Sequence, residues 1–289
     1  MAFAEKFQVR EGQSVRLDDI DSGSTAGIEG KREAKEALEA DLEAIHDLQY
    51  SLYAEGKQSL LIVLQARDAG GKDGTIRALS RGLNPQGCHV VSFKKPSSRE
   101  LSHDFLWRVH VHAPPNGAVA LFNRSHYEDV LVVRVKDLAP EPVWRARYEH
   151  INAFERLLTD HRTRVLKFFL HISPDEQLRR FAKRINDPLK QWKISEADYT
   201  ERTHWDAYTE AFEEVLERCS PESAPWFVIP ADKKWYRNFV IARIIREAME
   251  GMSIRVPEPA VDLDDIRRRY LLAFDEANHV DGDPLVPVR

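Results

Sequence analysis

Cysteine and long apolar runs are scarce in this chain of 289 residues. The two cysteines, Cys88 and Cys219, lack the spacing of a metal site, and isolated cysteines more often pack as small apolar side chains than form a disulfide. No stretch approaches the roughly 20 apolar residues of a membrane span, and the first residues lack the apolar core of a secretion signal. We therefore expect a cytoplasmic protein without a membrane partner.

An excess of positive charge is also missing. The chain has 42 Lys and Arg residues against 47 Asp and Glu residues, a net charge of −5, whereas nucleic-acid-binding proteins usually carry a strong basic excess. We expect no nucleic-acid partner. Basic side chains nevertheless cluster in two stretches, which indicates either a channel for a polyanion or two solvated helix faces. The first stretch contains Lys94, Lys95, Arg99, Arg108 and Arg124, and the second contains Arg179, Arg180, Lys183, Arg184, Lys190 and Lys193.

Strands and helices alternate through the middle of the chain. Apolar runs predict five strands. The first begins at Leu60, and the others cover 88–93, 118–122, 165–172 and 226–229. Strands that alternate with helices form a mostly parallel sheet with helices on both faces. We therefore predict a three-layer α/β fold around a mostly parallel five-stranded sheet. The predicted helices lie at about 72–81, 98–110, 141–160 and 233–250.

A phosphate-binding loop follows the first strand. The stretch 66–74 places glycines between a buried strand and a helix start, where backbone N–H groups face an anion and Lys72 reaches the outer phosphates. Asp73 stands where the usual P-loop has a Ser or Thr ligand for magnesium, and Ala66 stands where its first glycine is usual. Asp68 lies inside the loop, and a carboxylate among phosphates needs a divalent cation between them, so we predict that Asp68 binds Mg²⁺. The predicted phosphate-binding residues are Ala69, Gly70, Gly71, Asp73 and Gly74.

Asn123 and Arg124 end the third predicted strand. In a P-loop enzyme the tip of this strand faces the metal, and Asp is usual there, so Asn123 offers Mg²⁺ a neutral oxygen instead. Arg124 can donate two parallel hydrogen bonds to phosphate oxygens, and the alternative for such an arginine is a surface ion pair. Its place beside the metal position favours a role in phosphate transfer.

A helical hairpin is predicted over about 176–198, and it resembles the lids with which nucleotide kinases exclude water. Arg180 and Arg184 are four residues apart and share a helix face, so either of them could close onto the transferred group. Lys190 and Lys193 lie in the loop of the hairpin and could hold a longer anion.

The chain divides into three predicted regions. Residues 1–30 are polar, and we predict a loosely ordered N-terminal arm. Residues 31–256 form the predicted P-loop kinase-like catalytic domain, and 257–289 form a C-terminal tail with a short helix at 262–273. The domain begins with an amphipathic helix over 31–54, whose apolar stripe docks either on its own domain or on a second copy of the chain. The stripe consists of Leu38, Leu42, Ile45, Leu48 and Leu52.

Four segments of the chain together resemble the polyphosphate kinase 2 family. They are 66–74, 122–128, 184–193 and 229–236, and the resemblance runs in order from about Lys31 to Glu250. It implies a P-loop kinase-like fold with a helical lid, and magnesium-dependent movement of phosphate between inorganic polyphosphate and nucleotides. It also implies catalytic roles for Asp68, Lys72, Arg124, Arg180 and Arg184.

Asn123 and Glu128 add a resemblance to the branch called class III, which phosphorylates both AMP and ADP. We predict an enzyme that transfers the terminal phosphoryl group of inorganic polyphosphate reversibly to AMP and ADP, giving ADP and ATP, with Mg²⁺ or alternatively Mn²⁺. We also expect a homo-oligomer, either a dimer or a tetramer. Nucleotide contacts are predicted at Asn123, His126, Tyr127 and Glu128, metal contacts at Asp68 and Asn123, and polyphosphate contacts at Lys94, Lys95, Arg99, Arg108, Lys190 and Lys193.

Two other functions fit parts of the sequence. An ATP-dependent nucleoside or nucleotide kinase also uses a P-loop and a lid, but the basic clusters and Asp73 disfavour it. A non-catalytic regulatory protein that binds polyphosphate is favoured by the missing Asp at position 123. The presence of both Asp68 and Lys72 disfavours this second alternative.

Overall fold

The structure of this protein, a computed structural model, describes residues 3–278. Its central sheet consists of β1 (Ser59–Gln65), β2 (Cys88–Ser92), β3 (Val119–Asn123), β4 (Thr163–His171) and β5 (Trp226–Pro230). The strands lie in the order β2-β3-β1-β4-β5, and all neighbouring strands are parallel. The predicted α/β fold with a mostly parallel five-stranded sheet is confirmed.

Helices cover both faces of this sheet and give the fold three layers. Along residues 3–255 they are α1 (Lys31–Glu55), α2 (Lys72–Leu79), α3 (Ser98–Leu101), α4 (Trp107–His110), α5 (Glu128–Val135), α6 (Glu141–Asp160), α7 (Pro174–Ile185), α8 (Glu196–Arg202), α9 (Trp205–Arg218) and α10 (Lys234–Glu250). Helices α1, α2 and α10 share an apolar core with one face of the sheet, and α5, α6 and α9 share a second core with the other face.

Strand β1 lies in the middle of the sheet and is buried along its whole length. Its apolar run fits this place because a parallel strand between two helical layers exposes neither face to water. Leu64 pairs with Asn123 of β3 on one side and with Phe168 of β4 on the other. The carboxyl ends of these three strands therefore meet at one edge, where ligands of parallel α/β proteins usually bind.

The apolar stripe of α1 docks on its own domain, against α10. Of the two alternatives for this stripe, the structure shows the first: Leu38, Leu42 and Ile45 are buried there, and a buried carboxylate accompanies them. Asp41 accepts hydrogen bonds of 2.9 and 3.0 Å from Arg243 Nε of α10. Pairing with this arginine satisfies the carboxylate that burial would otherwise leave without water.

The prediction of a loosely ordered N-terminal arm is wrong for the described part of that segment, residues 3–30. Val9 N donates to Trp226 O at 2.9 Å, and Val228 N donates to Phe7 O at 2.9 Å, so the segment covers the open edge of β5. Leu17 is almost fully buried. The free N–H and C=O groups of an edge strand supply the binding energy that the polar composition of the segment does not suggest.

Residues up to Arg255 form one compact unit, and a second unit starts at Val256. The second unit contains α11 (Leu263–Asn278), which is longer than the predicted helix over 262–273. Residues 279–289 of the predicted tail lie outside the described residues. Among residues 3–278, no helix has both the length and the apolar composition that crossing a bilayer requires.

Candidate phosphate-binding site

The loop between β1 and α2 forms a tight turn at the carboxyl edge of the sheet. Ala69 and Gly71 adopt positive φ angles of 58° and 108°. A Cβ atom on Gly70 would lie 2.4 Å from Ala66 Cβ and 2.9 Å from Arg67 O, so only glycine fits at this position. Gly71 is the N-cap of α2, and the loop therefore directs the positive end of this helix toward the site.

Lys72 begins α2 and is almost fully buried. Its Nζ donates a hydrogen bond of 2.8 Å to Ala66 O, which folds the side chain back over the loop. Burial and, after it, the nearby Arg124 lower the pKa of Lys72 to about 8, while Asp68 and Glu128 act in the opposite direction. The ammonium group is thus held where a phosphate in the loop would lie within its reach.

Asp68 and Arg124 are brought together from two different strand ends, in an ion pair of the kind that is the alternative for Arg124. Arg124 Nη2 donates a hydrogen bond of 3.1 Å to Asp68 Oδ1, and Arg124 Nη1 lies 3.7 Å from Glu128 Oε2. Arg124 has a positive φ of 62°, which turns the chain from β3 toward the loop after β1. Glu128, then Asp68, raise the pKa of this guanidinium against the effect of burial.

Asn123 and Lys193 both contact Asp73 in the first turn of α2. Asn123 Nδ2 donates to Asp73 Oδ1 at 2.9 Å, and Lys193 Nζ donates to Asp73 Oδ2 at 3.1 Å. Burial opposes ionisation of Asp73, but these two hydrogen bonds outweigh it and lower its pKa. The predicted lid loop therefore touches the start of α2.

The predicted hairpin is present as α7 and α8, with a short 3-10 turn, Gln191–Lys193, between them. Arg184 Nη1 lies 3.2 Å from Lys193 O and 3.4 Å from Asp198 Oδ1, so it ties the hairpin loop to α8. Lys190 pairs with Asp187 of the same loop. A catalytic role of Arg184 stays a prediction.

Residues 29–257 match the family model described as polyphosphate kinase 2. The chain belongs to this family. The predicted resemblance to the polyphosphate kinase 2 family is therefore confirmed.

Relatives of known name cover nearly the whole chain. An AMP/ADP-polyphosphate phosphotransferase from Meiothermus ruber is 49% identical over 256 residues, which are 88% of this chain and 96% of that protein. An ADP-polyphosphate phosphotransferase from Rhodopseudomonas palustris is 43% identical over 266 residues, 88% of this chain and 92% of that one. A crystal structure of polyphosphate kinase 2 from Arthrobacter aurescens TC1 superposes with a TM-score of 0.90 at 38% identity, covering 94% of this chain and 97% of that chain.

The structure does not place Arg180 where it could touch a transferred phosphate, which corrects the prediction for this residue. Its side chain is buried, and its Nε donates to Glu176 Oε1 at 2.9 Å. Its Nη1 donates to the carbonyl oxygens of Ala69 and Gly70 at 2.7 and 2.9 Å, and its Nη2 donates to those of residues 231 and 232. Because these acceptors occupy the donors of the guanidinium, Arg180 holds the loop in place.

Arg108 is also predicted wrongly, as a polyphosphate contact. Its side chain is buried, Nη1 donates to Lys94 O at 2.8 Å, and Nη2 lies 3.6 Å from Asp129 Oδ2. The arginine thus fixes the chain that follows β2. Lys94 and Lys95, by contrast, are exposed beside it, as is Arg99, and their contact with polyphosphate stays a prediction.

His126 and Tyr127 have no exposed surface, so the predicted nucleotide contacts of these side chains are wrong. His126 Nε2 lies 3.1 Å from Glu155 Oε1, and Tyr127 OH donates to the same oxygen at 2.8 Å. The buried Lys167 donates to Tyr127 OH at 3.0 Å and forms a short ion pair with Glu155. This ionic network anchors the chain after Arg124 in the core; a lysine inside an apolar strand was its only sequence signal.

Arg237 is a further residue that sequence reasoning missed. It is buried on α10 behind the phosphate-binding loop, and a Cβ on Gly71 would lie 1.9 Å from its Nη1. Burial, and then the neighbouring Arg180, lower its pKa to about 9. An arginine among the apolar residues of a core helix is the sequence signal that could have marked it. Two buried cations therefore support the loop from beneath.

The carboxylate of Asp68 is the group beside the loop that would suit Mg²⁺. In the part of the chain that the structure describes, no three or more His, Cys, Asp or Glu side chains cluster as a metal site. Mg²⁺ commonly binds one or two protein carboxylates and takes its other ligands from water and substrate phosphates. The partly exposed carboxylate of Asp68, beside the loop, fits that pattern.

Proposed function

We propose that this protein transfers the terminal phosphoryl group of inorganic polyphosphate to AMP and ADP, reversibly, giving ADP and ATP. The supporting observation is that Asp68, Lys72 and Arg124 converge at the carboxyl ends of β1 and β3 in a member of the polyphosphate kinase 2 family. The names of the Meiothermus ruber and Rhodopseudomonas palustris relatives support the same donor and acceptors.

The residues of the site divide the work of phosphoryl transfer, which needs charge neutralisation and alignment more than covalent chemistry. The loop and the start of α2 bind phosphate oxygens through backbone N–H groups. Lys72 and Arg124 place positive charge beside the transferred group. Asp68, with the amide oxygen of Asn123 nearby, would hold Mg²⁺, which when bound neutralises phosphate charge.

The hairpin supplies the remaining cations. Lys193 and Arg184 hold the hairpin loop against α2 and α8, and closure over bound phosphates would exclude water from the site. The exposed Lys94, Lys95 and Arg99 are the proposed contacts for the longer polyphosphate chain. A cytoplasmic location and a homo-oligomeric state stay predictions.

One assay tests this proposal. The protein is incubated with long-chain polyphosphate, Mg²⁺ and either AMP or ADP, and ADP and ATP formation are measured, with Lys72→Met as the inactive control. We expect ADP from AMP and ATP from ADP. If ATP forms from ADP but no ADP forms from AMP, AMP is removed from the proposal. Transfer from ATP to a nucleoside without polyphosphate would support the first alternative, and polyphosphate binding without turnover would support the second.

A further inference from the structure

Residues 20–26 form a segment, here called the strap, that crosses the carboxyl ends of β4 and β5. Ser22 Oγ donates to Asp232 Oδ2 at 3.0 Å, and Asp232 N donates to Ser22 O at 3.1 Å. His171 Nε2, at the end of β4, lies 3.1 Å from Ile20 O. Ser22 and His171 are both buried, so the strap is packed onto the edge of the sheet that carries the site.

A second anchor lies at the far end of the strap. Tyr236 OH of α10 donates a hydrogen bond of 2.8 Å to Ala26 O. Tyr236 has no exposed surface, so this hydroxyl has no water to replace its partner. The strap is thus fixed at its start, at its middle and at its end.

Asp232 connects the strap to α7. Its Oδ1 accepts from Ser173 N at 2.9 Å, and its Oδ2 accepts from Ser173 Oγ at 2.9 Å. Ser173 is the N-cap of α7, and its Oγ accepts from Glu176 N at 3.1 Å. The main-chain oxygen of Asp232 also accepts from Arg180 Nη2 at 3.2 Å. One residue therefore fixes both the start of the helix and its buried arginine.

Side chains of helix α7 in turn bind the carbonyl oxygens of the phosphate-binding loop. Arg180 binds those of Ala69 and Gly70, and Gln177 Nε2 donates to Asp68 O at 3.0 Å. In a planar trans peptide the C=O and the following N–H point in opposite directions. The carbonyl of Gly70 faces Arg180, and so the N–H of Gly71 faces away from it, toward the phosphate side of the loop.

We propose that the strap is part of the reaction machinery and that Ser22 is a positioning residue for the phosphate-binding loop. The strap fixes the position of the Asp232 side chain, and Asp232 fixes the start of α7 and the position of Arg180. Arg180 in turn fixes the orientation of the peptide groups whose N–H groups face the phosphate. The strap precedes residue 29, where the match to the family begins. This inference rests on the proposed function for its kinetic consequence, but not for its structural one.

Two serine variants test it. Ser22→Ala removes the strap hydroxyl that binds Asp232. The matched control Ser220→Ala removes another buried hydroxyl, which donates to Val9 O at 2.7 Å and is not linked to Asp232 by the contacts above. Amide hydrogen exchange of the loop is measured in both. Gly70 N donates to Arg67 O at 3.0 Å within the loop, so its exchange reports opening of the loop. We expect exchange at Gly70 to rise about fivefold to tenfold in Ser22→Ala, the factor that corresponds to the net worth of one hydrogen bond, and not in the control. Equal exchange at Gly70 in the two variants would overturn the inference.

Turnover provides the second readout. With ADP, polyphosphate and Mg²⁺, kcat/KM should fall by a similar factor in Ser22→Ala, stay near wild type in Ser220→Ala, and recover in Ser22→Thr, which keeps the hydroxyl. Unchanged kcat/KM in Ser22→Ala refutes a role in the reaction. An inactive wild-type protein refutes the proposed function instead, and the exchange experiment still decides the structural inference. If Ser22→Ala does not fold, Tyr236→Phe removes the α10 hydroxyl that binds Ala26 O of the strap and must give the same result.

Discussion

Lys72 occupies a place that favours its neutral form before phosphate arrives. Its pKa is lowered to about 8, mainly by burial. We expect kcat/KM for polyphosphate to fall as pH rises through about 8, because the free enzyme then loses the cation that faces the phosphates. The alkaline limb of kcat should lie at higher pH, since bound phosphate favours the charged form. A pH profile of both parameters measures this.

Lys72→Arg is the control, because arginine keeps its charge over the same range. Its alkaline limb in kcat/KM should move upward, and a limb that stays near pH 8 would contradict the role of Lys72. The pH dependence of the free energy of unfolding independently checks the direction of the Lys72 pKa shift. Between pH 8 and 10.5 the unfolded state binds this proton and the folded state does not, so the contribution of Lys72 to the free energy of unfolding rises with pH.

Asp68 is expected to act through charge and not through packing. Asp68→Asn should lower activity by about 100-fold or more, on the scale of other losses of charge stabilisation in active sites. The Tm should change by no more than about 3 °C, because a partly exposed ion pair with Arg124 contributes little stability. Turnover at varied Mg²⁺ and thermal unfolding measure the two effects.

Glu39→Gln is the matched control, since it also converts a carboxylate to an amide and breaks an ion pair, here with the exposed Arg81. It should leave turnover unchanged. Wild-type turnover of Asp68→Asn at ordinary Mg²⁺ would show that Asp68 is not the metal ligand.

Arginine shows what the sequence could not decide at the scale of single residues. Charge clustering placed Arg108, Arg124 and Arg180 alike, either in a channel for a polyanion or on solvated helix faces. Only Arg124 is partly exposed beside Asp68, whereas the other two are buried and bind backbone carbonyls. A guanidinium satisfies carbonyls and phosphates with the same donors, so residue type alone does not distinguish the two uses.

At the scale of elements, the contact between the end of β3 and the start of α2 governs the choice of acceptor in our proposal. Asn123→Asp removes the donor that now binds Asp73 and places two carboxylates side by side. The pair should repel a dianionic AMP phosphate or recruit another cation, and so AMP use should change more than ADP use. Steady-state rates with each acceptor, at fixed polyphosphate and Mg²⁺, measure the difference.

The exchanged pair, Asp73→Asn with Asn123→Asp, serves as the control. It keeps one hydrogen bond and one charge at the contact, and acceptor preference should return toward wild type if the summed charge decides. An equal fractional change for AMP and ADP in the single variant would show that position 123 does not discriminate between them.

Regular periodicity predicted some elements closely and side-chain capping changed others. The predicted helix over 31–54 is found as Lys31–Glu55. The single helix predicted over 98–110 is instead two short helices, α3 and α4. Asp104 Oδ1 accepts hydrogen bonds from the N–H groups of residues 106 and 107, so a new helix begins after it. Helix α5, directly after the site, was not predicted. Its position depends on the buried network of Lys167 and Glu155, whose members are distant in sequence.

At the scale of the whole molecule, polyphosphate binding should depend steeply on salt. Each cation that contacts the polyanion releases counterions, with a slope of about 0.7 per contact in log Kd against log salt by analogy with single-stranded nucleic acid. AMP and ADP carry fewer charges and should show a smaller slope. Titrations over a range of salt concentrations measure both, and equal slopes would contradict the assignment of the basic surface.

Single lysine variants localise this effect. Lys94→Ala, on the exposed segment after β2, should lower the polyphosphate slope by about one contact. Lys57→Ala removes another exposed lysine, which lies before β1 at the opposite end of the strands, and it should leave the slope unchanged. A loss of slope in both variants would indicate a nonspecific effect of net charge.

The central place of β1 also has a consequence for how the protein is made. A ribosome synthesises β1 first, yet its neighbours are β3 and β4, and the residues that clamp its loop, Arg180 and Asp232, come later still. At typical rates of synthesis, the interval between the synthesis of β1 and that of β3 is on the order of ten seconds. During this interval the apolar run of β1 has no partner strand. A nascent chain in that interval is a natural client of chaperones. The phosphate-binding loop is among the first segments to be translated and among the last to be secured.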